Sequence, residues 1–151
     1  MQLKWVFKKF ADLNSFELYN ILRLRSEVFV VEQNCVYLDA DNNDQDAYHL
    51  SAYNNDLLVA YTRIIPPGKI CKEASIGRVL TSPSERKCGI GKILMKKSIE
   101  AVEELYGKVP IKIGAQLYLK RFYESFSFEQ VSEIYLEDGI EHIYMLRKQK
   151  T

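Results

Sequence analysis

The stretch RVLTSPSERKCGIGKILMKK, Arg78 to Lys97, joins an apolar strand-like run to a cationic loop and then to a helix opened by Gly89-Ile90-Gly91. The first N–H groups of a helix have no intrahelical acceptor, and the aligned peptide dipoles place roughly half a positive charge there. Glycine lets an anion approach that backbone closely. Arg86, Lys87 and Lys92 add formal charge beside it. The chemistry on offer is a cradle for a phosphate-bearing ligand. A Gly-x-Gly also serves as a flexible helix start on a basic surface, and the two glycines alone do not separate these readings. Two nucleotide sites are excluded. A magnesium-binding P-loop needs Ser or Thr after its Gly-Lys, and Ile93 stands there. A dinucleotide fingerprint needs a third glycine where Leu94 stands.

Other residues able to hold charge or move protons are scattered along the chain. Glu32, Asp39, His49 and Glu73 can each accept a proton, and a histidine's reference pKa near 6.5 suits that task. His49 reads equally well as a buried structural histidine. His142 shares a strand face with Ile140 and Tyr144, where it either lines a pocket or packs. Arg78 alternates with Ile76 and Leu80, and an arginine in an apolar strand needs a partner. Glu32, a carboxylate of the segment DADNNDQD or a ligand's carboxylate would each serve. Asp39, Asp41, Asp44 and Asp46 in that segment lack the mid-loop glycine and terminal glutamate of a calcium loop, so a solvated acidic loop and no metal are expected.

The elements that must position these residues follow from patterning. Leu3 to Phe7 reads as a first strand. Asn14 and Glu17 have capping-box spacing and open a helical run with Phe16, Tyr19, Leu22, Val28 and Phe29 to one side. Its length and the Val-Phe-Val-Val cluster predict two helices or a kink. His49–Tyr53 and Leu57–Ile65 form a hairpin, stopped by Pro66-Pro67-Gly68, and Ala74–Thr81 is the next strand. Gly89–Tyr106 is a helix with Ile93, Leu94, Ile99, Val102 and Leu105 as its apolar stripe. A strand at Val109–Ala115 and a helix at Leu117–Phe126 follow. Strands Val131–Leu136 and Ile140–Arg147 close the chain around the turn Glu137-Asp138-Gly139. Hairpins mixed with a strand–helix–strand crossover imply an α/β (α+β) domain over residues 1–151, its mixed sheet covered on both faces.

Arg86-Lys87-Cys88-Gly89-Ile90-Gly91 has the form Arg/Gln-x-x-Gly-x-Gly/Ala, after a strand and Pro83 and before a helix. Downstream, Gln116 is followed by Phe122-Tyr123 and then Ser127-Phe128. With these two features the chain resembles the GNAT superfamily of acetyl-CoA-dependent N-acetyltransferases. Residues 22–33, Asp39 with Asp41, His49, residues 76–79, residues 135–140 and His142 are similar to the ElaA branch of that superfamily. The resemblance implies a central sheet of about six to seven strands flanked by about four helices.

It also implies a site. Arg86, Lys87, Cys88, Gly89, Ile90, Gly91 and Lys92 would grip the pyrophosphate of coenzyme A. Val79, Leu80 and Thr81 would hold the pantetheine arm along a splayed strand edge, and Gln116 would contact the cosubstrate. Tyr123 falls on the family's general-acid tyrosine. Ser127 replaces the family's glycine, so the turn after that helix is expected to differ. Glu32, His49, Arg78 and His142 are candidate acceptor contacts, and no general base is assigned. The reaction implied is acetyl transfer to a small-molecule or peptide amine. A longer acyl donor, or a non-catalytic module that senses acyl-CoA, keeps the same fold.

Composition bounds the partners. With 21 Lys and Arg against 20 Asp and Glu, the net charge of +1 gives no argument for nucleic acid or an anionic membrane. Cys35, Cys71 and Cys88 form no zinc or disulfide pattern. No apolar run approaches the ~20 residues of a membrane span. A cytoplasmic monomer or homodimer is expected.

Overall fold

The computed structural model describes residues 2–148. Strand β1 (Lys4–Lys9) precedes helix α1 (Ser15–Arg25), which runs into a π-helical turn (Ser26–Glu32). Strands β2 (Tyr48–Asn54), β3 (Leu57–Ile65) and β4 (Ala74–Thr81) lead through a 3-10 segment (Pro83–Cys88) to helix α2 (Ile90–Tyr106). Strand β5 (Ile111–Gln116), a 3-10 turn (Leu117–Leu119) and helix α3 (Lys120–Glu124) follow. The chain ends on β6 (Glu129–Gln130), β7 (Tyr135–Glu137) and β8 (Ile140–Arg147).

The eight strands form one mixed sheet in the order β1-β2-β3-β4-β5-β8-β6, with β7 also on β8. Only the β4–β5 pair is parallel. Alternation along β3 sends its side chains to two layers. Ala60, Thr62 and Ile64 face α2, where the Thr62 and Ser98 hydroxyls bond at 2.8 Å. Tyr61 packs on the other face with Ile21, Leu24 and Val28 of α1 and its π turn.

The capping box forms as the spacing predicts: the Glu17 N–H donates to Asn14 Oδ1 (2.8 Å) and the Asn14 N–H to Glu17 Oε1 (2.9 Å). The buried side of α1 differs from expectation. Phe16 and Tyr19 are 80% and 67% exposed, whereas Ile21, Leu24, Arg25 and Val28 are buried. Apolar residues surround this helix, so periodicity chose the wrong side at Phe16 and Tyr19, while Val28 and Phe29 pack inward as expected, and the buried stripe contains an arginine. The predicted break is a π turn: N–H groups of Gln33 and Cys35 reach back five residues, to Val28 O (3.3 Å) and Val30 O (3.0 Å). In α2, Ile93 lies 46% exposed, and Ile90, Met95, Ser98 and Ala101 complete the buried face.

The strand expected over Val131–Leu136 forms only at its end, as β7, while the short β6 lies just before it. Between them the Ser132 hydroxyl accepts the Tyr144 N–H at 2.8 Å, so a side chain takes the place of a ladder carbonyl. The helix expected over Leu117–Phe126 is reduced to a 3-10 turn and the five-residue α3.

Candidate active site

β4 and β5 pair only at Ala74–Ile111 and Ser75–Lys112, then part. Beyond that point the facing edges have no ladder partner in each other, so their polar groups are open to an outside partner. The gap is a cleft of about 930 Å³. On its β4 side a bulge opposite Thr62 shifts the register from Arg63–Gly77 to Tyr61–Leu80, with Arg78 in left-handed backbone (φ +52°). Val79, Leu80 and Thr81 line the cleft, together with Glu32, Arg78, Gln116, Tyr123 and His142.

The cationic loop sits at one end. Gly89 has φ +72°, a conformation that favours glycine, and it turns the 3-10 segment into α2. Gly91 lines the cleft, and Ile90 is buried in the core beside Leu94, leaving only its backbone for a ligand. Cys88 and Lys92 are exposed outside the cleft wall, and the Lys87 side chain lies outside the described residues. Arg86 folds back: its guanidinium donates to Glu32 Oε2 at 2.8 Å and to the Thr81 carbonyl at 3.3 Å. Glu32 is therefore tied to the loop across the cleft mouth.

Tyr123 is held from the end of its helix. Helix α3 stops in a Schellman arrangement: the Phe128 N–H donates to Tyr123 O (3.3 Å) and the Ser127 N–H to Glu124 O (3.0 Å). The Phe128 ring meets Tyr123 edge-on, 6.1 Å between centroids. Ser127 occupies the left-handed position with φ +72°. The serine thus makes the turn a glycine would make, in backbone that costs an L-residue roughly 1–2 kcal/mol. Phe122 packs on Tyr123 from the other side. Burial, with Tyr118 nearby, pushes the Tyr123 phenol above the ordinary tyrosine value, so it stays protonated at neutral pH.

Of the acidic loop's aspartates only Asp46 stays solvated as expected; Asp39, Asp41 and Asp44 are bound by arginines. Arg25, 0% exposed, donates to Asp39 Oδ2 and Asp44 Oδ1, both at 2.7 Å. Arg63 bonds Asp41 (2.8 and 2.9 Å) and Asp44 (2.9 Å), and Arg78 bonds Asp39 (2.8 Å) and Asp41 (3.3 Å). Three arginines meet three aspartates, and the formal charges cancel. Burying the carboxylates is tolerable only because each is paired. Arg78 thus takes acidic-loop partners, as one of its readings required. His49 is the clearest correction. It lies outside the cleft wall, buried, with Nδ1 2.6 Å from the Tyr61 hydroxyl and Nε2 3.0 Å from the Asp44 carbonyl. The carbonyl can only accept, so Nε2 carries the proton and Nδ1 accepts from Tyr61. Burial holds its pKa below the usual histidine value against the opposing bond to Asp44.

On the β5 side, the Gln116 and Gln33 amides exchange hydrogen bonds of 3.2 and 3.3 Å. Cys35 Sγ donates to the Asp138 carbonyl at 3.3 Å, fastening the segment after the π turn to the β7–β8 turn. His142 stands opposite Gln116 across the β5–β8 ladder.

The family described as Acetyltransferase (GNAT) domain matches residues 21–148. The chain belongs to the GNAT acetyltransferase family. Protein ElaA of Escherichia coli is 41% identical over 97% of this chain and 97% of its own length. Its crystal structure superposes with a TM-score of 0.92, covering 97% of this chain and all of that one. An acyl-CoA N-acyltransferase from Pseudomonas aeruginosa is similar at 42% identity and TM-score 0.93, over 97% of this chain and 99% of that one. An aminoglycoside 6′-N-acetyltransferase complexed with coenzyme A shares the fold at 17% identity and TM-score 0.71, over 97% and 98% of the two chains.

Within this GNAT enzyme, Arg25, Arg63, Asp44, Gln33 and Cys35 shape the cleft wall or its support but carry no local motif. One signal was available: Arg25 lies four residues after Ile21 and three before Val28, inside the buried stripe. A charge there demands a counter-ion, as Arg78 did. Among the described residues no group of metal-ligating side chains is placed to hold a metal ion, and no helix is long and apolar enough to cross a membrane.

Proposed function

We propose that this GNAT enzyme transfers an acetyl group from acetyl-CoA to a primary amine by direct attack in a ternary complex. The observation that carries the proposal is the splayed β4–β5 edge with a protonated phenol on its wall. The residues fit the cosubstrate. Along Val79, Leu80 and Thr81 the backbone alternates: Leu80 pairs with Tyr61 of β3, and Val79 and Thr81 border the opening without a ladder partner from β5, where they suit the amides of a pantetheine arm. First-turn N–H groups of α2, beside Gly91, suit a pyrophosphate. Arg86 would exchange Glu32 for a phosphate oxygen, since a guanidinium pairs with either anion.

Acetyl-CoA, when bound, supplies an activated acyl group as a thioester. The chain's part is to hold that group, polarise its carbonyl and protonate the leaving sulfur. N–H groups on the open β4 edge are the donors for the carbonyl oxygen. Tyr123 is the proton donor to the sulfur, and its raised pKa keeps that proton in place until a strong base, the thiolate, forms beside it.

The test is an acyl-CoA series, from acetyl upward, against an amine panel, with free thiol as readout and calorimetric titration of CoA alongside. Acetyl-CoA is expected to turn over fastest. Tyr123→Phe is expected to lower turnover by about 100-fold, within the range of general acid–base catalysis, with CoA affinity unchanged. Absence of CoA binding at millimolar concentration would sink the proposal. Binding without turnover over the whole panel would make the protein an acyl-CoA sensor. A Tyr123→Phe enzyme as fast as wild type would remove the tyrosine from the mechanism.

A further inference from the structure

The β7–β8 turn carries a site that pairing elsewhere in the cleft throws into relief. Of the charged residues described on the cleft wall, Asp41 is bound to Arg63 and Arg78, and Glu32 is bound to Arg86 until a phosphate takes that guanidinium. Glu137 and Asp138 have no such partner. Among the described residues no lysine or arginine pairs with either; the one ionisable partner is His142, whose Nε2 lies 3.4 Å from Glu137 Oε2.

The His142 ring is fixed on its other side. Its Nδ1 is 2.7 Å from the Ile140 carbonyl. A carbonyl only accepts, so Nδ1 holds the hydrogen, and in the neutral ring Nε2 presents a lone pair. That lone pair and the Glu137 carboxylate are both acceptors, and among the described residues no lysine or arginine bridges them. The imidazole is 9% exposed and the Glu137 side chain 59%, so the carboxylate is open to solvent and to an incoming cation while the ring nitrogen is largely covered. The ring stacks on Tyr135 at 5.7 Å, and Tyr135 on Tyr144 at 4.7 Å. Gly114 makes room for this stack: a Cβ there would lie 3.0 Å from the Tyr135 hydroxyl. The titratable groups around the imidazole are Glu137 and Tyr135 on β7, Asp138 in the turn, Tyr144 on β8, Lys112 on β5 over the Tyr144 ring, and Cys35 beneath the turn.

We propose that Glu137 and His142 form the subsite for the acceptor's primary alkylammonium group, and that His142 Nε2 is the base that deprotonates it. The proposal rests on the amine-acetylating reading above. An ammonium brings three donors to a place that offers two acceptors, and the net negative turn favours a cation. One ammonium proton passes to Nε2, and the carboxylate of Glu137 stabilises the resulting imidazolium. The freed nitrogen lone pair attacks the thioester carbonyl, forming the N–C bond. The C–S bond breaks, the sulfur leaves with the electron pair and takes the Tyr123 proton. The surplus proton on the new amide nitrogen restores the phenol, and the imidazolium releases its proton to solvent.

The chain has two histidines, so ¹⁵N imidazole spectra of the full-length protein with saturating CoA resolve them, and His142→Gln assigns them. At pH 7.5 His142 is expected in the Nδ1–H tautomer with Nε2 unprotonated, and benzylamine or spermidine is expected to shift that nitrogen. In turnover, His142→Gln is expected to lower kcat/KM by about 100-fold and to abolish the acid limb of its pH profile, with CoA affinity unchanged. Glu137→Gln is expected to act mainly on the amine KM. A doubly protonated His142 in the amine-free protein would make the pair a structural ion pair, and an Nε2–H tautomer would remove the lone pair. Either overturns the proposal, as does a His142→Gln enzyme with wild-type kcat/KM and acid limb. The tautomer is read without turnover, so failure of acetyl transfer and failure of this assignment are told apart.

Discussion

Gly91→Ala separates ligand contact from folding at the one glycine that faces the cleft from α2. A methyl group at this position would meet only the Phe122 ring, 3.9 Å away, which is ordinary contact. The backbone there is helical, so no strain follows. Alanine in place of glycine within a helix gains up to about 1 kcal/mol, which for a chain of this size is roughly 2–4 °C in Tm. The same methyl stands beside the first-turn N–H groups assigned to the pyrophosphate. Losing one hydrogen bond to a charged group costs about 1.5–3 kcal/mol, so the CoA Kd should rise roughly 10- to 100-fold. Calorimetric titration with CoA and thermal melts of the free protein give both numbers. Opposite signs are expected: a more stable protein that binds CoA more weakly. Gly89→Ala is the control, since its φ of +72° makes any side chain strained, and it should lower stability. An unchanged Kd for Gly91→Ala would refute placement of the pyrophosphate on this turn. A loss of stability would refute the packing argument itself.

Ser127→Gly should stabilise the protein by about 0.5–1 kcal/mol, because glycine accepts the left-handed backbone that serine occupies at φ +72°; chemical denaturation measures it, and turnover should not fall. Folding stability should decline in two stages as pH falls. The neutral, buried His49 has a lowered pKa, so its contribution is complete above the unfolded value near 6.5 and is lost as the unfolded chain binds protons below it, at up to about 1.4 kcal/mol per pH unit. Burial alone would raise the Asp41 and Asp44 carboxyls, but their arginine bonds hold both below the ordinary range, so their contribution is present above about pH 4 and lost on further acidification. Urea unfolding from pH 8 to pH 3 should show both stages, and His49→Gln should flatten the upper one.

What the sequence made legible was encoded locally. The capping box, the Gly-x-Gly turn and the Pro66-Pro67-Gly68 stop involve neighbours in the chain, and each formed. The buried stripe of α1 was misread because apolar residues surround that helix and only its neighbours decide which side is covered. The strand expected over Val131–Leu136 was broken by one hydroxyl, Ser132, whose competition with the ladder depends on β8 lying opposite.

The acidic loop was misread for a deeper reason. Its aspartates find their arginines at separations of 14 to 39 residues, on α1, β3 and β4. Taken one at a time, the loop looks like solvated carboxylates and Arg78 like an anion site. Together they neutralise each other, and neither is left to recognise a substrate. That cancellation changes where selectivity must reside. With Arg25, Arg63 and Arg78 committed to Asp39, Asp41 and Asp44, the unbalanced charge among the described residues of the cleft wall falls to Glu137 and Asp138, which their own sequence context marks only as a turn, joined by Glu32 when a phosphate takes Arg86.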